Sequence, residues 1–169
     1  LVSGPVNIEP FIGIDVVNVK SAADMAEAVA ARSEASDMVV MCSAVADYTP
    51  THYSAQKVKK SDGELSIPLA RTTDILHTLG MKKKEGQMLV GFSMETENLI
   101  ENSRKKLSKK NADIICANTI ADGGNTGFAV DTNQVTLITE TEVITLPLCT
   151  KEETADLILS HIVELQKEK

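Results

Sequence analysis

The chain contains no tryptophan, two tyrosines and three phenylalanines, so valine, isoleucine, leucine, methionine and alanine must fill whatever core its 169 residues build. It also lacks an excess of basic residues: 17 lysines and arginines against 24 acidic residues give a formal charge of −7. That balance argues against a protein that coats nucleic acid, because neutralising phosphates needs a broad basic surface. No stretch approaches the ~20 apolar residues of a membrane span, and no charged-then-apolar leader opens the chain. Cys42, Cys116 and Cys149 are odd in number and share no CxxC spacing, and two of them sit in apolar, strand-like runs. They read as reduced thiols packed as small hydrophobes, which excludes a disulfide framework and points to the cytoplasm. GxGxxG, the Walker-type GxxxxGK and the GxSxG of a hydrolase nucleophile are all missing. His52, His77 and His161 have no metal-ligand spacing with one another or with the cysteines, so no metal site is predicted.

What is present suits one globular domain over 1–169: the chain is 43% hydrophobic and 24% charged, and long enough to bury a continuous core without disulfide or metal support. Apolar runs of strand length lie at Asp15 to Val19, Met38 to Ala44, Met88 to Phe92 and Asp113 to Ala117, mostly separated by helical segments. The alternation implies a parallel sheet, and the near-continuous apolarity implies strands buried on both faces. A first helix is predicted from Ser21, with Asp24 as the far member of a capping box, to about Ser36. Others follow from Thr72 or Thr73 to Gly80, from about Glu97 to Lys110, and from about Lys151 to Gln166 with Leu157, Ile158, Ile162 and Leu165 toward the core. After Ala117 the period changes: Val135 to Thr139 and Val143 to Leu148 alternate around Glu140-Thr141-Glu142 and read as an antiparallel hairpin. The expected fold is α/β, a Rossmann-like, three-layer, mostly parallel sheet with an antiparallel extension from the hairpin and the Glu64 to Leu69 region.

Open parallel sheets bind ligands at the carboxyl ends of their strands, so the strand exits carry the candidates. Met38 to Ala44 leads into Asp47, which leaves a fully apolar strand and so meets a cation, backbone donors or a ligand hydroxyl, or else caps a turn before Pro50. Gly91 admits close approach of another group, and Phe92 is either a stacking face for a base or plain core. Lys106 and Lys110 share a helical face that either holds a polyphosphate or is simply solvated. The same choice applies to the basic clusters at Lys57 to Lys60, Lys82 to Lys84 and Arg104 to Lys110. Gly123 to Gly127 imitates a phosphate cradle, but the next element reads as strand rather than helix, so a mobile or hairpin-forming loop is expected there.

Taken in order, Ala44-Val45-Ala46-Asp47-Tyr48, Lys57-Val58-Lys59-Lys60, Thr73-Asp74-Ile75 and Gly91-Phe92 with Glu95-Thr96 resemble the bacterial phosphopantothenoylcysteine synthetase domain. Lys106 and Lys110 ahead of Asp113 and Cys116-Ala117-Asn118 complete the set, and the match runs from Leu1 to the last helix. The resemblance implies a ligase of coenzyme A biosynthesis. In it the carboxylate of 4′-phosphopantothenate attacks the α-phosphate of CTP to give an acyl-cytidylate, and the amine of L-cysteine then displaces CMP.

By the same resemblance Lys57 is catalytic, on a flap over the reacting phosphate and carboxylate, and Lys106 and Lys110 hold the triphosphate with its Mg²⁺. Asp47 contacts the nucleotide, Phe92 lines its pocket, Thr72, Thr73, Asp74 and Ile75 border the base, and the backbone from Ser43 and Ala44 to Ala46 helps read cytosine. The polar segment from Thr49 to Lys60 is then expected to be loose until ligand binds. Family members commonly form the second half of a bifunctional protein whose first half is an FMN-dependent decarboxylase, so FMN is expected only outside this chain. They also carry a front segment, with an Asn tied to the acyl-cytidylate step, that precedes the equivalent of Leu1. An inactive or impaired fragment is the expectation that follows. A family habit of dimerising, joined to the hairpin, implies a homodimer whose extra strands pair subunits, and a higher oligomer in the bifunctional protein. Two other classes compete: a nicotinamide-dependent oxidoreductase on the same kind of sheet, and a non-catalytic oligomerisation domain.

Overall fold

The computed structural model describes residues 1–8, 12–59, 63, 66–119 and 130–167. They divide into two units, one drawn from 1–29 and 44–74 and the other from 30–43 and 75–169. In chain order the elements are β1 (Val2–Ser3), β2 (Val17–Asn18), α1 (Ala22–Ser33), β3 (Met38–Met41), β4 (Tyr48–Pro50) and β5 (Leu69–Arg71). They continue with α2 (Ile75–Lys82), β6 (Met88–Glu95), α3 (Leu99–Lys110), β7 (Ile114–Thr119), β8 (Thr132–Asn133), β9 (Val135–Ile138), β10 (Val143–Thr145), β11 (Cys149–Thr150) and α4 (Lys151–Lys167).

The second unit is built on a five-stranded sheet in the order β10-β9-β7-β6-β3. β3, β6 and β7 run parallel, β9 pairs antiparallel with β7, and β10 pairs antiparallel with β9, as the change of period after Ala117 predicts. Because side chains alternate along a strand, each apolar run feeds both faces of the sheet. Met88, Val90, Ile114, Cys116, Val135 and Leu137 form one face, and Leu146 with Ile158 and Ile162 of α4 closes it into a buried cluster. Burying each large side chain of that set is worth about 1.5–3 kcal/mol, which makes this cluster a large cohesive element of the unit. On the opposite face Leu76 of α2 lies over Gly91, and the hydroxyls of Ser93 on β6 and Ser103 on α3 meet at 3.2 Å. Helices therefore cover both faces, in the three-layer arrangement expected. β3, at the sheet edge, departs from the reading of strands buried on both sides, since Val40 is exposed.

Helix boundaries follow local hydrogen-bonding chemistry. Ser21 Oγ accepts from the amide of Asp24 at 3.1 Å while Asp24 Oδ2 accepts from the amide of Ser21 at 3.0 Å, the reciprocal cap predicted for α1. Thr150 and Glu153 repeat it at α4, with the amide of Thr150 donating to Glu153 Oε2 at 2.9 Å and Thr150 Oγ1 accepting from the amide of Glu153 at 3.2 Å. α2 corrects the expectation at both ends. It starts at Ile75, because Thr72 is bonded elsewhere, and it runs through Gly80 to Lys82. Gly80 is not a stop: the carbonyl oxygen of Lys110 occupies the space a β-carbon there would need, so glycine lets α2 and α3 cross in contact. α3 begins at Leu99 rather than Glu97, and Asn98 and Asn111, both left-handed, bracket it, a conformation Asn tolerates. On α4, Ile158 and Ile162 are buried as predicted, but Leu157 is exposed.

In the first unit, β1 and β2 pair in parallel, so the predicted strand from Asp15 to Val19 contracts to Val17 and Asn18. β4 and β5 pair antiparallel, matching Tyr48 with Arg71, Thr49 with Ala70 and Pro50 with Leu69. The segment expected to be loose from Thr49 thus begins as a strand. Of the strand expected from Glu64 to Leu69, only Leu69 is in β5, and Glu64 and Leu65 lie outside the described residues. So do Lys60 and the glycine-rich stretch 123–127.

Candidate functional site

The candidate residues divide between the two units: Ala44, Asp47, Lys57, Thr72, Thr73 and Asp74 belong to the first, and Ser43, Ile75, Phe92, Lys106 and Lys110 to the second. In the first, the structure brings Asp47 and Thr72 together. The amide of Thr72 donates to the carbonyl of Asp47 at 2.9 Å, and Thr72 Oγ1 donates to the carbonyl of Ala46 at 2.6 Å. These bonds close the base of the β4–β5 pair, and the exposed Lys57 lies in the chain between the two strands. Arg71, which the sequence reading passed over, places its guanidinium carbon 5.9 Å from the centroid of the Tyr48 ring. Its only sequence signal was position: it directly precedes Thr72.

Asp47 does not leave an apolar strand and needs no charge compensation. β3 ends at Met41, and the residues from Cys42 to Ala44 and Asp47 itself are exposed. Ser43 and Ala44 accordingly lie exposed near a strand exit rather than buried. Thr73 and Asp74 are exposed just ahead of α2, whereas Ile75 is buried as its first residue.

The second unit supplies the better-defined arrangement. Phe92 is half-buried against the apolar cluster under α4, so its ring serves the core in this structure, and the close approach at Gly91 is that of Leu76. At the carboxyl end of β6, Glu95 receives two donors from α3: Lys106 Nζ at 2.6 Å to Oε1 and Asn102 Nδ2 at 3.3 Å to Oε2. Asn102, Lys106 and Lys110 recur every fourth residue and are all half-buried, so they form one stripe along α3. The sequence reading found the two lysines of this stripe but missed Asn102 and Glu95 as their companions. At the exit of β7, Asn118 Oδ1 accepts from the buried Asn133 Nδ2 at 3.2 Å.

Three other basic residues of the second unit, Lys83, Lys84 and Arg104, have local partners. Lys83 pairs with Asp113 at 3.1 Å, Lys84 Nζ donates to the carbonyl of Glu34 at 2.8 Å, and Arg104 Nη1 donates to the carbonyl of Glu140 at 2.9 Å. A cavity of about 490 Å³, bounded by Lys83, Ser108, Asp113 and Thr139 to Thr141, lies at the amino end of β6 and β7, away from the strand exits. Burial pushes the Cys116 thiol up to about 12, with Cys42 adding a smaller push in the same direction, so Cys116 is a packing residue. Among the described residues no three His, Cys, Asp or Glu side chains could together hold a metal ion, and no helix is long and apolar enough to cross a membrane.

A mixed five-stranded sheet with helices on both faces and its polar candidates at strand exits is a Rossmann-like α/β domain. The chain belongs to the family described as the DNA/pantothenate metabolism flavoprotein C-terminal domain, whose model matches residues 1–165. It is 44% identical, over 99% of its length, to the coenzyme A biosynthesis bifunctional protein CoaBC of Bacillus subtilis strain 168, and covers 41% of that protein. The chain thus spans less than half the length of this curated relative. Its structure is similar to the crystal structure of the C-terminal domain of a CoaBC protein, with a TM-score of 0.80, 40% identity, and coverage of 99% of this chain and 74% of that one. A more distant fold neighbour is the H337A mutant of Cab2 in complex with phosphopantothenate-cysteine, at a TM-score of 0.66, 15% identity, and coverage of 90% and 53%.

Proposed function

We propose that the chain is the phosphopantothenate–cysteine ligase domain of a coenzyme A biosynthesis protein and uses CTP to activate the carboxylate of 4′-phosphopantothenate. The observation that carries the reading is the half-buried cationic stripe of Lys106 and Lys110 on α3, with Lys106 held at the carboxyl end of a parallel strand. The CoaBC relatives support it, as does the ligand of the distant fold neighbour. The reaction has two steps. A carboxylate oxygen forms a bond to the α-phosphorus of CTP while the bond to the bridging oxygen breaks and pyrophosphate leaves. The amine of L-cysteine then attacks the acyl carbon, loses a proton, and CMP leaves with the electrons of the broken acyl–oxygen bond.

The chain's own residues divide this work. Lys106 and Lys110 offset the charge of the triphosphate, and Lys57 is assigned to the α-phosphate and the carboxylate. Asp47, with the backbone about Ser43 and Ala44, faces the nucleoside, and Thr72 to Ile75 border the base. Phe92 lines the pocket from its seat on the core. No protein cage for a metal occurs among the described residues. Mg²⁺ would arrive on the phosphates of its nucleotide, the usual mode for an ion that dehydrates reluctantly. Bound with the nucleotide, Mg²⁺ would supply further charge neutralisation for the leaving pyrophosphate.

The test is formation of phosphopantothenoylcysteine from CTP, 4′-phosphopantothenate and cysteine by the longest natural polypeptide that carries these residues. Absence of product from a correctly folded protein, or binding of NADPH in preference to CTP, overturns the reading. The edge position of β10 and the exposure of Val143 on it support a homodimer joined through the antiparallel strands. Light scattering that gives a monomer at all concentrations contradicts that part.

A further inference from the structure

We infer that Glu95 is a positioning residue for the triphosphate: its carboxylate holds the Lys106 ammonium in place at the carboxyl end of β6 so that the nucleotide meets an ordered cation. This rests on the reading that Lys106 contacts the triphosphate. A carboxylate beside an anion site is unexpected on charge alone, because it repels the ligand it borders. Three observations give it a purpose.

First, Glu95 is itself fixed. Its side chain is 12% exposed against 44% for Lys106, and Asn102 Nδ2 holds its second oxygen at 3.3 Å. Asn102 is anchored in turn, its Nδ2 donating to the carbonyl of Glu97 at 3.0 Å and its amide to the carbonyl of Asn98 at 2.9 Å. Second, the bond from Lys106 Nζ to Glu95 Oε1 is short, at 2.6 Å, as charge-assisted hydrogen bonds are. Third, an ammonium has three donors. One spent on Glu95 leaves two for phosphate oxygens, so the same lysine bridges both without leaving its partner. A long, flexible side chain ordered before binding loses less freedom when the ligand arrives.

The inference reverses the sign that charge alone gives. Removing a negative group from an anion site strengthens anion binding by simple attraction; removing a positioning group weakens it. Glu95→Ala is therefore expected to weaken CTP binding about three- to tenfold, although it makes the site more positive. Affinity for CMP, which lacks the phosphates assigned to Lys106, is expected to stay within about twofold. Glu95→Gln keeps an acceptor oxygen and restores CTP affinity to within about threefold of the unaltered protein.

The experiment is calorimetric titration of CTP and CMP, with Mg²⁺, into the longest natural polypeptide carrying the chain and into Glu95→Ala, Glu95→Gln, Lys106→Gln and the Glu95→Ala/Lys106→Gln double variant. Lys106→Gln is expected to weaken CTP binding, and Glu95→Ala to add no further loss in that background. Equal or tighter CTP binding by Glu95→Ala, or the same loss with Lys106 absent, overturns the positioning role. An unchanged affinity in Lys106→Gln overturns the functional reading beneath it instead. If Glu95→Ala does not fold, Asn102→Ala replaces it: removing the carboxylate's second bond must weaken CTP more than CMP, and equal effects on both contradict the inference.

Discussion

The carbonyl oxygen of Lys110 fills the space that a β-carbon on Gly80 would require, so the last residue of α3 rests directly on the backbone of α2. Asn111 Nδ2 donates to the carbonyl of Gly80 at 2.8 Å and secures the same seam. His77 Nδ1 lies 3.1 Å from the carbonyl of Lys109, one turn earlier on α2. The position of the Lys110 backbone is therefore set by a glycine thirty residues away in sequence.

Gly80→Ala tests that seam. Alanine is the better helix former by about 1 kcal/mol, yet a backbone carbonyl cannot swing aside as a side chain can. The substitution is expected to destabilise by roughly 1–3 kcal/mol, seen in thermal unfolding as about 2–4 °C lost per kcal/mol. Gly91→Ala should cost less, because its nearest obstacle at 2.5 Å is the terminal methyl of Leu76. A Gly80→Ala variant as stable as the parent contradicts the packing described.

The thiols should separate by reactivity. Cys42 is exposed and Cys116 buried. With its thiol raised to about 12, only about one Cys116 in ten thousand is ionised at pH 8. A disulfide reagent is expected to label Cys42 in the folded protein and Cys116 only after unfolding. Equal rates for the two, followed by peptide mass analysis, contradict the burial of β7.

Acid should weaken the helix caps. The Thr150 backbone amide, then its hydroxyl, hold the Glu153 carboxyl below its usual range, and Ser21 does the same for Asp24. A carboxyl whose folded value is depressed contributes stability above its unfolded value and loses it as pH falls through the folded one. The stability difference between the parent and Glu153→Gln, measured by urea unfolding, should be present at neutral pH and close as the pH drops below the ordinary carboxylate range. A difference independent of pH argues against a charged cap.

Lys57→Gln should separate chemistry from binding. The residue is exposed in the chain between β4 and β5 and is assigned to the reacting groups. Its loss is expected to slow acyl-cytidylate formation on the order of 100-fold, with CTP affinity nearly unchanged. Single-turnover assays beside equilibrium titration measure both, and the reverse pattern contradicts the assignment.

Much of the sheet was legible in the sequence because Met88 to Val90 and Ile114 to Cys116 are apolar without interruption, a pattern that follows from burial on both faces. The cap at Ser21 was legible because Asp24 lies three residues on, as a local signal must; the like cap at Thr150 went unread although Glu153 is equally near. Gly80 was misread as a helix stop because its meaning depends on Lys110, which only tertiary packing brings near. Asp47 was misread for a related reason: the strand was carried to Ala44, whereas it ends at Met41. Lys106 and Lys110 were legible as a helical pair, but Glu95 lies on another element, eleven residues before Lys106, and no periodicity links them. The meeting of Thr72 and Asp47 was not legible, since they are joined by a backbone bond that carries no side-chain signature.

The most direct test of the account is calorimetric titration of CTP with Mg²⁺, beside NADPH, into the protein and into the Lys106→Gln/Lys110→Gln double variant at two salt concentrations. The account predicts that CTP binds in preference to NADPH, and that the double change weakens CTP binding by about 10- to 100-fold, the worth of charge-assisted bonds to phosphate. The loss should be larger at low salt, where screening is weaker. A folded protein that ignores CTP, one that prefers NADPH, or a double variant whose CTP affinity is unchanged contradicts it.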